Sequence, residues 1–139
     1  MATGSETDVN LEGESAFMTL FGLELRGDGP GAGRRLLRAG RRSPPTLGAF
    51  VHGGVFTAVI ETAATTGAYQ PVKDRSQLAV GVNNVTDFLR PHQQGRLRVF
   101  AEPLHQGKSQ QFWQVIVERE DGKTVARGQV RLQNVEADA

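Results

Sequence analysis

An apolar run of fifteen residues, from Val55 to Tyr69, dominates the hydrophobic pattern of the chain. The run is too long for a typical strand, and with Glu61 and several threonines it is too short and too polar to span a membrane. Apolar and small residues would occupy nearly every side of a helix drawn through it. The pattern therefore predicts a long central helix that other elements surround.

Four further runs, all after this helix, have the pattern of β-strands. Alternation of apolar and polar residues is cleanest in the last two, which is typical of strands with one buried face and one wet face. Asp121-Gly122 between them is a hairpin signal, and Gln94-Gly95 and Gln106-Gly107 mark the other turns. The predicted strands cover residues 77–90, 97–105, 110–119 and 124–132.

The segments before the helix are less regular. Residues 1–12 are small, polar and acidic, which predicts a disordered tail. Residues 14–23 carry several large apolar side chains and predict a short helix that leads into a strand near residues 22–26. Residues 33–42 are rich in arginine and lack clean alternation. They are interpreted as a solvated edge strand whose charges discourage aggregation, or alternatively as a patch for a phosphorylated ligand.

These elements together predict an α+β fold, in which a curved antiparallel sheet is wrapped around one long central helix. The predicted order is helix, strand, central helix and then an antiparallel meander. A chain of 139 residues is long enough to bury one real core. We therefore expect a single domain over residues 13–135, preceded by the tail.

The composition excludes several classes of function. Lys and Arg number 16 against 15 Asp and Glu, so no overall field favours nucleic acid. The chain has no cysteine, which removes disulfides, thiol nucleophiles and thiolate metal sites. The N-terminus has neither a basic region nor an apolar region of the kind found in secretion signals. We expect a cytoplasmic protein that does not bind a membrane.

Glu61 is the most informative residue for function, because it is the only carboxylate in the apolar run. A carboxylate in an apolar environment must be paired or take part in chemistry. His52-Gly53-Gly54 stands directly before the run, where the predicted helix would begin. Thr65 follows Glu61 by four residues and so lies one turn later on the same face.

These residues, with several later segments, resemble one known family. The chain is similar to hotdog-fold acyl-CoA thioesterases of the PaaI-like type, and in particular to the aryl-CoA branch that includes 4-hydroxybenzoyl-CoA thioesterase. The resemblance extends over about residues 15–134 and implies the hotdog fold. Besides His52-Gly53-Gly54, Glu61 and Thr65, it rests on the segments at residues 80–84, 86–90, 102–105 and 110–113.

The resemblance implies a role for each of these residues in thioester hydrolysis. Glu61 would attack the thioester carbonyl or activate a water that does. Gly53 would offer its backbone N–H, at a helix N-terminus, to the developing oxyanion. Thr65 would hold the carboxylate or the water. His52 would orient the loop rather than act as a base, with capping and packing as the alternative roles for His52 and Thr65.

The resemblance also implies substrate-binding residues. Arg90 would bind a phosphate of coenzyme A through its bidentate guanidinium, and Lys108 and Ser109 would hold the nucleotide end. Gly54 is expected to touch the substrate beside Gly53. At two further substrate-binding positions the chain departs from the family. The family usually has glutamine where this chain has Thr46, and a related branch has histidine where this chain has Phe88. Phe88 would line the acyl pocket.

The expected partner is an acyl-CoA substrate, with no metal and no redox cofactor. The resemblance implies a homodimer or homotetramer in which Glu61 of one subunit faces Gly53 of another. Three alternatives stay open at this point. The protein could be a hotdog dehydratase or a binding module that has lost turnover because of Thr46, and the arginine-rich stretch could favour an acidic carrier protein as the acyl donor.

Overall fold

In this computed structural model, residues 50–137 are described in full, and three short strands before them are described as backbone. The predicted tail at residues 1–12 lies outside the described residues, and so does the predicted helix at residues 14–23, apart from Leu23. The first described strand, Leu23–Glu24, agrees with the strand predicted near residues 22–26.

One helix and eight strands make up the described part of the chain. A 3-10 turn, Lys73–Arg75, joins the helix to the first long strand. The strands are β1 Leu23–Glu24, β2 Arg35–Ala39, β3 Thr46–Leu47, β4 Phe50–Val51, β5 Gln77–Phe88, β6 Leu97–Gln106, β7 Gln110–Arg119 and β8 Thr124–Glu136, and helix α1 is Gly53–Tyr69.

Six strands form one antiparallel sheet in the order β1-β2-β6-β7-β8-β5, while β3 and β4 form a separate pair. The α+β class and the four predicted long strands are confirmed. The simple meander is wrong at one point, because β5 pairs with β8 and not with β6. Alternation along a strand shows which face is buried, but it does not show which strand lies next to it.

The arginine-rich stretch forms strand β2, in agreement with the strand interpretation. It pairs with β6 over Arg35 to Arg38. Strand β1 pairs with Arg38 and Ala39 on its other side. The edge interpretation is therefore wrong for the last two residues of β2, because β1 is the outermost strand there.

Helix α1 is buried on one side only, which corrects the prediction of a helix surrounded on all sides. Its buried residues recur in adjacent pairs every four positions, so they form one stripe that packs on the sheet. The opposite side carries Glu61 and four threonines, none of which is buried. The buried stripe consists of Val55, Phe56, Val59, Ile60, Ala63, Ala64, Gly67 and Ala68.

No helix in the described residues is long and apolar enough to cross a bilayer.

Two glycines allow the helix and the sheet to approach closely. A Cβ atom on Gly128 of β8 would lie 2.8 Å from Cγ2 of Ile60. A Cβ atom on Gly67 of α1 would lie 2.5 Å from Cζ3 of Trp113. Both distances are shorter than real carbon contacts, so a side chain at either position would push the helix away from the sheet.

Trp113 cannot easily move aside, because its indole is part of a buried polar network. Its Nε1–H donates to Oε1 of Gln111 at 3.0 Å. The amide Nε2 of Gln111 donates in turn to the carbonyl of Ala68 and to Oδ1 of Asn134, both at 2.9 Å. Gln111 is 1% exposed, so loss of any of these bonds would leave a buried polar group without a partner.

We expect replacement of Gly67 by alanine to lower the free energy of unfolding by about 1–3 kcal/mol, because the added methyl overpacks the helix against Trp113. This loss would occur although alanine favours helices over glycine by about 1 kcal/mol. Urea denaturation at fixed protein concentration measures the change. Thr66→Ala, on the open side of the same helix, is the control and should stay within about 0.5 kcal/mol. An unchanged value for Gly67→Ala would contradict the close-packing explanation.

Candidate active site

His52 caps the N-terminus of helix α1. Its backbone is extended, with φ −61° and ψ 134°, and its Nδ1 accepts a hydrogen bond from the backbone N–H of Gly54 at 2.9 Å. Because Nδ1 is the acceptor, the ring proton of the neutral imidazole lies on Nε2. The backbone carbonyl of His52 accepts from Val55 at 2.9 Å, which closes the first turn. This geometry matches the predicted orienting role and the capping alternative alike.

The cap leaves the N–H of Gly53 available. Of the first two helical N–H groups, that of Gly54 is satisfied by His52, whereas no acceptor for Gly53 occurs among the described residues. Unpaired N–H groups at a helix N-terminus carry partial positive charge. Gly53 therefore has the geometry required of an oxyanion donor, although its catalytic role stays a prediction.

The start of the helix is anchored from two sides. Val51 donates its N–H to the carbonyl of His92 at 2.8 Å. Val51 is also the strand partner of Thr46. The backbone of Thr46 therefore lies beside the entry to α1, as its predicted substrate-binding role requires. Its side chain is outside the described part of the structure, so that role is still a prediction.

A groove of about 650 Å³ runs between the open side of α1 and the edge strand β5. The hydroxyls of Thr62 and Thr66 donate to carbonyls one turn earlier in the helix, each at 2.8 Å. Within residues 50–137 the hydroxyls of Thr57 and Thr65 have no hydrogen-bond partner, so that part of the chain leaves them available to a ligand. The groove is lined by Gly54, Thr57, Ala58, Glu61, Thr62, Thr65, Thr66, Ala79, Val80 and Gly81.

Glu61 lines this groove, and its carboxylate lies between two residues of β5. Its Oε1 lies 3.2 Å from the position that a Cβ atom on Gly81 would take. Its Oε2 lies 3.5 Å from Nδ2 of Asn84. The expectation of a poorly solvated carboxylate is wrong for the single chain, in which Glu61 is exposed, because the covered stripe of α1 does not include it.

The sequence interpretation assigned no role to Gly81 or Asn84, although both belong to a segment that carries the family resemblance. The signal that could have identified Gly81 is the absence of a side chain in an otherwise bulky strand. Asn84 had no such signal, because plain alternation from Ala79 and Gly81 would turn it away from the helix.

Phe88 lies over the N-terminus of the helix. One atom of its ring is 3.2 Å from the position of a Cβ on Gly53. The ring also contacts Phe56, with the two centroids 6.5 Å apart and the planes tilted by 49°. Phe88 is absent from the lining of the groove, and its ring instead lies against Gly53 at the start of the helix.

The predicted phosphate-binding residues lie at opposite ends of α1. Arg90 follows Phe88 near the helix N-terminus, and its Nη1 donates to the carbonyl of Thr124 at 2.7 Å. Lys108 and Ser109 lie in the β6–β7 turn. The carbonyl of Lys108 accepts from Nδ2 of Asn134 at 3.1 Å, and the carbonyl of Ser109 accepts from the backbone N–H of Asn134 at 2.8 Å. This turn is next to the helix C-terminus through Gln111 and Asn134. A single chain therefore does not bring these cations together.

Among the described residues, a carboxyl group with a lowered pKa lies outside the groove, and no group of side chains is suited to a metal ion. Asp121 has its pKa lowered, first by the hydrogen bond that the backbone N–H of Lys123 donates to it and then by the guanidinium of Arg119. It lies in the β7–β8 turn and not in the groove. Between residues 50 and 137, no three His, Asp or Glu side chains are grouped so that they could hold a metal ion.

Comparison with known proteins agrees with the fold and indicates an esterase or thioesterase activity. A family model described as the thioesterase superfamily matches residues 48–126. Rv1847 of Mycobacterium tuberculosis, provisionally named as an esterase, is 42% identical over 123 residues, which are 87% of each chain. The solved structure of this mycobacterial esterase superposes with a TM-score of 0.78 at 38% identity, covering 89% of this chain and 99% of that one.

Two further relatives carry more specific names. The proofreading thioesterase EntH of Cronobacter sakazakii is 32% identical over 73 residues, which are 52% of this chain and 53% of its own. The PaaI protein of E. coli, from the phenylacetic acid degradation operon, has a TM-score of 0.75 at 21% identity, covering 91% of this chain and 88% of its own. At this identity the likeness concerns the fold alone.

The capping role of His52 leads to a prediction about stability. His52→Ala removes the acceptor for the N–H of Gly54 and should lower the free energy of unfolding by about 1 kcal/mol. His52→Asn supplies another side-chain acceptor and should keep most of that stability. Urea denaturation of the three proteins provides the measurement. Equal stability of the alanine and asparagine variants would show that the cap contributes little.

Proposed function

Because the chain belongs to the thioesterase superfamily, it is a thioester hydrolase in the general sense, and we propose that its substrate is an acyl-CoA or aryl-CoA thioester. The observation that carries this proposal is the position of Glu61, whose carboxylate faces a groove of about 650 Å³ beside an available helix N-terminus. Small residues and hydroxyls line the groove, so either an aromatic ring or an alkyl chain could enter it.

The proposed reaction needs a group that attacks and a group that stabilises charge. Glu61 either attacks the thioester carbonyl itself or removes a proton from a water that attacks it. The oxygen of the carbonyl becomes negative, and the N–H of Gly53 donates to it. The carbon–sulfur bond then breaks, and the thiolate of CoA leaves and takes up a proton. If Glu61 attacks first, water hydrolyses the resulting anhydride.

The distance along the helix supports a shared active site. Glu61 follows Gly53 by eight positions, which corresponds to a rise of about 12 Å along the helix. Reacting atoms must approach to about 3–3.5 Å, and a separation of two full helical turns makes it difficult for one thioester carbonyl to meet both groups of the same chain. We therefore propose that Glu61 of one subunit works with Gly53 of another.

The edge strand β5 is the surface proposed to form that dimer. Its outer edge has no partner strand within the described residues, and five of its apolar side chains are between 44% and 57% exposed. Such an edge favours pairing with another strand. Two β5 strands paired antiparallel would produce a continuous sheet across the dimer, and two dimers could form the expected tetramer. The five exposed residues are Leu78, Val80, Val82, Val85 and Phe88.

Pairing of this kind would also explain the separated cations. Antiparallel β5 strands would bring the helix N-terminus of one subunit towards the helix C-terminus of the other. Arg90 of one subunit and Lys108 and Ser109 of another could then bind the phosphates of one CoA. The proposed site needs no metal and no redox cofactor, because the carboxylate and the N–H supply its chemistry.

The described histidines give no support to a hotdog dehydratase. Such an enzyme would place a catalytic histidine against the carboxylate. His52 caps the helix, Nε2 of His92 lies 3.1 Å from the carbonyl of Gly95, and His105 is near the end of β6. None of these three lines the groove. A binding-only protein is the second candidate, and it is favoured by Thr46 at the position where the family usually has glutamine.

We expect Glu61→Gln to reduce the rate of thioester hydrolysis on the order of a thousandfold or more, because it removes the nucleophile or base while preserving shape. Release of free thiol from a panel of acyl-CoA and aryl-CoA esters, followed with a chromogenic thiol reagent, measures the rate. Glu120→Gln makes the same chemical change outside the groove and should leave the rate unchanged.

Three other outcomes would distinguish the alternatives or test the role of Glu61. Hydrolysis by Thr46→Gln but not by the natural protein would support a weakened or binding-only relative. Stoichiometric binding of the ester with no thiol released by either protein would favour the binding module outright. Wild-type turnover that Glu61→Gln does not reduce would remove Glu61 from the mechanism.

The shared-site proposal predicts that charges on β5 weaken the dimer and the activity together. The double variant Val82→Lys and Val85→Lys places two cations on the exposed edge, which should disfavour strand pairing. Sedimentation velocity would show the shift towards monomer, and thiol release should fall with the dimer fraction. Leu104→Lys changes a similarly exposed apolar residue on β6 and is the control. A fully active monomer would contradict the proposal.

A further inference from the structure

We propose that Asn84, whose amide is oriented by Thr86, is the positioning residue for the carboxylate of Glu61. The catalytic part of this inference rests on the proposed thioester hydrolysis. Three observations on strand β5 carry it, namely a bulge, a short chain of hydrogen bonds and the missing side chain of Gly81.

A β-bulge in β5 turns Asn84 towards the helix. Gly81 pairs with Leu132 and Asn83 pairs with Arg131, so Val82 has no partner on β8. Directly opposite residues in an antiparallel pair point to the same face of the sheet. Asn84 is opposite the buried residue Val130, and it therefore shares the inner face. Without the extra residue, alternation would turn Asn84 to the outer face.

The amide of Asn84 then joins three groups of the groove. Its Nδ2 donates to the carbonyl of Thr57 at 3.2 Å and to Oε2 of Glu61 at 3.5 Å. Its Oδ1 accepts from the hydroxyl of Thr86 at 2.8 Å. The carbonyl of Thr57 can only accept, so it identifies Nδ2 as the donor end of the amide, and the hydroxyl of Thr86 holds the other end by donating to Oδ1. The donor end therefore faces the carboxylate, as an ionised carboxylate requires.

Gly81 restricts the carboxylate from the other side. Oε1 of Glu61 is 3.2 Å from the position of a Cβ on Gly81, so a side chain at residue 81 would force the carboxylate to shift from its present position. With Asn84 next to Oε2 and the backbone of Gly81 next to Oε1, the bulged segment places both oxygens of the carboxylate.

This placement matters because nucleophilic and general-base catalysis depend on alignment of the attacking oxygen. A displacement of about 1 Å can cost on the order of a hundredfold in rate. Asn84 would not need to touch the substrate, because it acts through Glu61. Removal of its amide should therefore lower kcat and change KM little.

The first test compares Asn84→Ala with the natural protein in thioester hydrolysis. We expect kcat to fall about tenfold to a hundredfold, with KM within about twofold. In the Glu61→Gln background, Asn84→Ala should cause no further loss, because the residue it positions is already inactive. A large rise in KM, or a further loss in that background, would show direct contact with substrate. An unchanged kcat in an active protein would overturn the inference but not the proposed function.

The second test asks whether Thr86 orients the amide. Thr86→Val keeps the shape but removes the hydroxyl, so kcat should fall by about tenfold, whereas Thr86→Ser keeps the hydroxyl and should rescue most of it. Equal losses in the valine and serine variants would contradict orientation by the hydroxyl. Sedimentation velocity must show the same oligomeric state in all variants, since loss of the oligomer in Asn84→Ala would indicate a role at the interface.

A third measurement does not depend on activity. Crystal structures of the natural protein and of Asn84→Ala should show the Glu61 carboxylate ordered beside Gly81 in the first and displaced or spread over several rotamers in the second. An identical carboxylate in both structures would overturn the positioning role. If the natural protein hydrolyses no thioester, the proposed function falls, and this comparison still decides whether Asn84 places Glu61.

Discussion

The close approach of helix α1 to the sheet is the contact on which the rest of the structure depends. Gly128 leaves room for Ile60, and Gly67 leaves room for Trp113, whose indole is held by Gln111. Because the helix is buried along one stripe only, its other side stays open towards the edge strand β5. The groove is therefore a consequence of how the helix packs, and Glu61 faces it because it belongs to the uncovered side.

The two ends of the candidate site have different physical origins. At the helix N-terminus, the imidazole of His52 satisfies one N–H and leaves that of Gly53 available. In the middle of the groove, the carboxylate of Glu61 is placed by Gly81 and Asn84 of the edge strand. The two residues are about 12 Å apart along the helix, and the proposed chemistry is therefore assigned to an assembly. The exposed apolar edge of β5 is the surface suited to build it.

Much of the fold was predictable because its signals are local. Alternation in the last two strands, the Asp121-Gly122 turn and the long apolar run each reflect the period of one element. The family resemblance likewise identified Glu61 and the His52-Gly53-Gly54 segment, and the structure has both at the groove or at its end. Predictions were wrong where neighbours decide the outcome. Strand β5 pairs with β8 instead of β6, and Glu61 is exposed in the single chain.

The sequence by itself determined the α+β class, the positions of the long strands and the residue types available for chemistry. Only the tertiary structure decided which side of α1 is covered, that Arg90 and Lys108 lie at opposite ends of the helix, and that Asn84 meets Glu61. The physical reason is that these facts depend on pairing register and on contacts between distant segments. Val82 has no partner on β8, so every residue of β5 after it points to the face opposite to the one that simple alternation predicts. The alternation of apolar and polar residues along the sequence gives no sign of this change.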